Sequence, residues 1–260
     1  MSERPISRSA NTYVGIKLEE NMSISPGRRV GGVAIEIPGA AQILEKLGID
    51  YCCGGDRSIE DACLAADVSV QEVLRRLEAA EESKPAAAEF VDWSRASLSQ
   101  LVSHIIDKHH IFTCNELERL VGLISRVCAA HGRNHPELLS IQELFNDLKD
   151  ELLPHMKKEE GVLFPYIFEL EAAVTAERLL PKPFFGTVSN PIRVMMVEHE
   201  RAGDTIEKIR SLSANFSVPA DGCASYRALY EALEFLEADL HLHIHLENNI
   251  LFPAAIKMES

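Results

Sequence analysis

The stretch HMKKEEGVLFP, from His155 to Pro165, returns as HIHLENNILFP, from His243 to Pro253. Both spell H-x3-E-x3-L-F-P. Each lies on a helical core seam. Ile141, Phe145, Leu148, Leu152, His155, Glu159 and Val162 step by 4, 3, 4, 3, 4, 3, and Leu229, Leu233, Leu236, Leu240, His243, Glu247 and Ile250 repeat those steps. That spacing is the buried stripe of a bundle helix. On two helices, then, a histidine and a glutamate stand where leucine belongs. At i and i+4 the pair shares one face, about 5–6 Å apart at Cβ.

Two further helices add histidines. Ile192, Met195, His199, Ala202, Ile206 and Ile209 form a third seam. The remaining helix offers two: Ile106, His110, Thr113, Leu117, Leu120 and Ile124, or Leu98, Val102, Ile105, His109 and Phe112. His199 and His243 are 44 residues apart; His155 is 45 from His110 and 46 from His109. The spacing favours His110 and leaves the choice open. The chain reads as a duplicated helix pair, each contributing one His and one H-x3-E.

The inward set is His110, His155, Glu159, His199, His243 and Glu247. An unpaired buried carboxylate costs several kcal/mol and an unpaired imidazole about 1–3. Six such groups rival a domain's whole stability of about 5–15 kcal/mol. A pair of divalent cations would compensate. Imidazole with carboxylate suits iron, manganese or zinc. A single zinc needs three or four ligands, so six is too many for one ion. A lone helix histidine is more often packed or solvated than a ligand. Repetition on two core seams reverses that judgement. The spacing is neither the E-x-x-H of ferritin-like di-iron bundles nor the H-E-x-x-H of zinc proteases. His104, His109, His131, His135, His241 and His245 are left outside the set; His241 and His245 fall off their seam, onto a face expected to be solvated. Glu160 is expected to face water; Glu151 and Glu198 lie near enough to tune the site or relay protons, with plain surface placement the equal alternative.

Along the chain, residues 1–30 are polar and aperiodic and read as a flexible extension. Residues 31–80 carry short helical signals: an apolar run ending at Gly48, the turn IDYCCGGDR, and Ser58 placed to cap a helix. Residues 81–92 read as a linker. From 93 to 260 the pattern is four long helices, near 98–130, from 136 past Pro165, from a cap at Ser189 or Asn190, and from 223 onward. Pro165 is placed to kink the second. The fold class is therefore all-α: an up-down four-helix bundle preceded by a small helical domain. The formal net charge of −14 argues against nucleic acid and against a polybasic membrane contact. There is no apolar run long enough to span a bilayer and no secretory signal core, so a cytoplasmic setting is expected.

Six cysteines do not read as a disulfide scaffold in a helix-rich chain of 260 residues. Cys52 and Cys53 are adjacent, about 3.8 Å apart at Cα, too close to bridge each other readily. Two exposed thiolates would suit a soft metal, sulfur chemistry or a partner; two inert packed cysteines are the other reading. Cys63, Cys114, Cys128 and Cys223 read as small buried apolar residues.

H-x3-E repeated over a four-helix bundle resembles hemerythrin-like domains. With IDYCCGG, HMKKEEGVLFP, VEHERAG and HLENNILFP together, the chain resembles iron–sulfur cluster repair di-iron proteins over about residues 33 to 256. The resemblance implies two iron ions in a carboxylate-bridged di-iron centre held by His110, His155, Glu159, His199, His243 and Glu247, and so favours His110 over His109. It also implies a functional Cys52–Cys53 pair, which would contact the damaged partner or accept iron. The function implied is repair of iron–sulfur clusters damaged by oxidative or nitrosative stress, by release of one iron or through nitric oxide binding, with damaged iron–sulfur proteins as partners and a homodimer left open. An O2 or NO sensor or store, a di-iron NO or peroxide reductase, and a metal-free helical interaction protein are the alternatives. Oxygen-carrying hemerythrins usually have one more histidine ligand, for which this chain has no clear candidate.

Overall fold

A computed structural model describes residues 24–83 and 91–260. Residues 1–23 of the expected extension and 84–90 of the expected linker lie outside them. Four helices come first: α1 (Val30–Glu36), α2 (Ala40–Lys46), α3 (Ile59–Ala65) and α4 (Val70–Ser83). Gly48, at φ +66°, ends α2 in the left-handed conformation that glycine adopts without a Cβ clash. The Ser58 hydroxyl accepts from the Asp61 N–H at 3.0 Å and caps α3, as its sequence position predicts. Their apolar faces, among them Val30, Val33, Leu44, Ile59, Leu74 and Leu77, close one cluster.

Four rods follow. The first is α5 (Leu98–His104), a π-turn (Ile105–His110) and α6 (Ile111–His131). The second is α7 (Glu137–Lys158), a π-turn (Glu159–Leu163) and α8 (Phe164–Thr175). The third is α9 (Ser189–Leu212) alone. The fourth is α10 (Ala224–Leu246), a π-turn (Glu247–Leu251) and α11 (Phe252–Glu259). The fold is the helical bundle that the seams predict, with α7 packed on α9 and α6 on α10. No strand is formed among the described residues, and none of their helices is long and apolar enough to cross a membrane.

The π-turns are where the helices depart from expectation. Each inserts an extra residue into a turn, so the buried stripe slips by one. Val162, expected on the seam, is 36% exposed, and Leu163 is buried in its place. In the first rod, Leu98, Val102 and Ile105 lie on one register and Thr113, Leu117, Leu120 and Ile124 on the other, all buried. Both seams are real, and the π-turn joins them. Pro165 and Pro253 sit in the first turns of α8 and α11, directly after the widened turns. A proline ring needs such room, because it cannot donate to the preceding turn. Neither Ser189 nor Asn190 caps α9: the residue before the helix is Val188, whose N–H donates to the Glu259 carboxylate at 2.9 Å.

Two apolar clusters fill the bundle. One includes Leu117, Phe145, Leu152, Ile206, Leu233 and Leu240. The other includes Ile105, Leu163, Phe164, Met195, Leu246 and Phe252. Between these residues along each rod come the histidines and glutamates.

Candidate metal centre

All six predicted residues are buried: His110, His155, His199 and His243 to 2% exposure or less, and both glutamates fully. They converge as two groups, His110–His243 and His155–His199, each completed by Glu159 and Glu247. In each group the ligand-capable atoms lie within 4.8 Å of one another. Both carboxylates belong to both groups. The π-turns explain this placement: Glu159 and Glu247 open theirs and His110 closes its own.

The polar bookkeeping at the centre does not balance by itself. His110 Nε2 faces His243 Nε2 at 3.2 Å, and His155 Nε2 faces His199 Nε2 at 3.0 Å. Each facing pair can share only one proton. The same nitrogens stand 3.1 to 3.5 Å from carboxylate oxygens. Yet none of the four oxygens of Glu159 and Glu247 has a properly directed hydrogen bond. Titration reflects the crowding. Burial pushes His199 down, but Glu247 and Glu159 outweigh it, and its pKa rises to about 9. Burial wins at His243, which is lowered. Burial would raise Glu247, but His243 and His199 hold it well below the carboxylate range. Four acceptor oxygens and four imidazole nitrogens aimed at one another suit two cations.

Three of the four imidazoles are braced from behind. His110 Nδ1 meets Glu160 Oε1 at 2.7 Å, His155 Nδ1 meets Glu198 Oε2 at 2.9 Å, and His199 Nδ1 meets Asn248 Oδ1 at 2.9 Å. Such partners fix ring orientation and raise ligand basicity. Glu198 thus touches the site, as its position suggested. Glu160 does so too, though 45% of its side chain is exposed, so the expectation that it only faces water is corrected. Asn248 is missed by seam reasoning. The repeat itself could have found it, because Glu160 and Asn248 both follow directly on a predicted glutamate.

Of the histidines left outside the set, His109 and His245 prove buried and His241 partly so. His109 is 3% exposed, since the π-turn points two consecutive residues inward. His245 is 2% exposed and meets the Tyr51 carbonyl at 3.3 Å. His241 Nδ1 meets Glu45 Oε2 at 2.8 Å. The face expected to be solvated is covered by the N-terminal helices.

Cys52 and Cys53 sit on that covering surface. Both backbone N–H groups donate to Asp50 Oδ1, at 3.1 and 2.9 Å. Their sulfurs are 3.8 Å apart and unbonded, and Cys53 Sγ lies 3.9 Å from the His199 carbonyl. They are not two exposed thiolates: Cys52 is buried and Cys53 partly so. The Cys52 thiol donates towards Cys53, which raises Cys52 and lowers Cys53. With Asp50 they form a third group of metal-capable atoms. Of the other cysteines only Cys63 is buried; Cys128 is half-buried, Cys114 is exposed on the outer face of α6, and Cys223 is exposed just before α10.

Comparison with known proteins agrees with this geometry. Residues 101–255 match the hemerythrin HHE cation binding domain, and residues 26–81 match ScdA_N, a domain of unknown function (DUF542). A probable iron-sulfur cluster repair protein of Haemophilus influenzae is 34% identical over 88% of this chain and 96% of its own. The chain belongs to the iron–sulfur cluster repair family. Other members include iron-sulfur cluster repair proteins YtfE of Yersinia pseudotuberculosis, 31% identical, and of an Enterobacter species, 32% identical, each over 88% of this chain and 97% of its own. In this family member the cation binding domain is the bundle, and the match to DUF542 spans the N-terminal helices and the turn between α2 and α3 that carries the cysteine pair.

Proposed function

We propose that the chain is a cytoplasmic di-iron protein that repairs iron–sulfur clusters damaged by oxidative or nitrosative stress, with one of its own irons as cargo. Two iron ions would be held by His110, His155, Glu159, His199, His243 and Glu247, with both glutamates bridging. Bound there, they would supply exchangeable, redox-active cations to a damaged cluster. The observation carrying this reading is the pair of buried groups that share two carboxylates without hydrogen-bond partners. The relatives' names support the choice of client.

The chain's own residues have definable parts. Glu160, Glu198 and Asn248 hold three imidazoles in line. The small unit, taken as residues 31–80, covers the bundle of 93–260 and keeps water from the His199 edge. Cys53, partly exposed beside His199, offers a thiol contact for a docked partner, which favours a repair role above a closed gas store. The test is incubation of iron-loaded protein with an enzyme whose [4Fe–4S] cluster has been damaged. Recovery beyond that given by the same quantity of free iron, and lost with Glu159→Leu, is expected. Recovery equal to free iron rejects repair by donation.

A further inference from the structure

The duplicated phrase lets the two halves of the centre be matched residue by residue. His199 corresponds to His110, His243 to His155, Glu247 to Glu159 and Asn248 to Glu160. The residue before each lone histidine corresponds as well, Glu198 to His109. The bracing is not symmetric. Glu198 accepts from His155 and is itself paired with Lys158. Asn248 holds His199 and also donates to the Cys52 carbonyl at 3.4 Å. On the other half, Glu160 holds His110, but His243 Nδ1 has no protein partner.

The reason is the residue at the Glu198-equivalent place. His109 lies flat against His243, with ring centroids 5.6 Å apart and planes 10° from parallel, so it cannot offer an in-plane acceptor. Its Nδ1 is turned to Asp239 Oδ1 at 3.0 Å. His109 Nε2, Asp239 Oδ2 and Thr113 Oγ1 also lack protein partners. One imidazole of four is therefore oriented by stacking, not by a carboxylate or an amide. Loss of such an outer partner typically costs 10–100-fold in metal affinity.

We propose that the two metal positions are unequal and that the ion between His110 and His243 is the one that exchanges, the ion between His155 and His199 being retained. The proposal rests on the two-ion reading above. It assigns the cargo to one half of the centre and a holding role to the other.

The test uses the whole chain loaded with iron and a limiting chelator. One equivalent should leave about 10–100-fold faster than the other. Anomalous diffraction at the iron edge from partly chelated crystals should show density lost between His110 and His243 and kept between His155 and His199. Glu198→Ala should bring the slow equivalent towards the fast rate. His109→Gln, which puts a carboxamide beside His243, should slow the fast one. Loss at the His155–His199 position, equal release of both ions, or acceleration of only the fast equivalent by Glu198→Ala overturns the assignment. The wild-type diffraction result decides it should a variant fail to fold. Two ions released equally sink this inference alone. Wild-type protein that takes one ion or none sinks the di-iron reading beneath it.

Discussion

Glu159 shows how one residue can be unfavourable to the fold and necessary to the site. Its carboxylate is fully buried and neither oxygen is hydrogen-bonded. Such an unsatisfied group costs about 1–3 kcal/mol, more when charged. Glu159→Leu should therefore raise the stability of the metal-free chain by about 1–3 kcal/mol in urea titrations. The same variant should cut iron content below that of wild type by elemental analysis, since Glu159 serves both positions. A destabilised metal-free variant with full iron content would contradict the role. Cys223 is a different residue-scale case, since its thiol matters through exposure. The Tyr226 N–H and then His131, whose Nε2 lies 3.2 Å from the sulfur, pull its pKa down to about 7. The thiolate is the reactive form and predominates above that pKa. Alkylation of Cys223 should be half-maximal near pH 7, and His131→Ala should move the midpoint upward, as followed by mass spectrometry. The six inward residues were legible because i, i+4 geometry is local. The exposure of Cys223 was not, because composition says only that free cysteines tend to be buried.

At the scale of the element, the π-turn is the device that matters. A regular helix would carry the seam from Glu159 to Val162; the extra residue carries it to Leu163. Deleting Val162 should restore a regular turn without disturbing the registers before and after it. Helix content by circular dichroism should be unchanged, while iron content falls as Glu159 turns from the centre. Unchanged metal content would show that the widened turn is incidental. The sequence holds a trace of these turns. The first helix presents two overlapping seams, one running through His109 to Phe112 and one through His110, and an inserted residue is what produces such a pair. Spacing alone read this as ambiguity. The widened backbone leaves room for Pro165 and Pro253, but its place depends on what the glutamates face across the bundle, and that is not local.

For the whole molecule, the decisive contact is the seat of the N-terminal helices on the bundle. Asn249 donates to the Tyr51 and Cys52 carbonyls at 3.3 and 3.2 Å. Glycines make room for it: a Cβ at Gly55 would lie 2.3 Å from Asn249 Oδ1 and 2.9 Å from the Tyr51 carbonyl. Gly55→Ala should thus unseat the cover while leaving the six inward residues untouched. Cys53 should react several-fold faster with a thiol reagent, and iron content should stay at the wild-type level. A Cys53 as slow as in wild type would mean that the cover does not depend on this contact. Nothing in the pattern around His241 and His245 announced the cover. Off-seam polar residues look solvated until another part of the chain is laid over them.

Periodicity and repetition, which act within a few turns of one helix, were enough to determine an all-α bundle, its buried stripes and the histidines and glutamates interrupting them. The tertiary structure alone decided which stripe each widened turn would join, that both glutamates serve both histidine pairs, and that Cys53 rests 3.9 Å from the His199 carbonyl. Those outcomes depend on groups up to 146 residues apart in the chain, for which no local spacing rule exists.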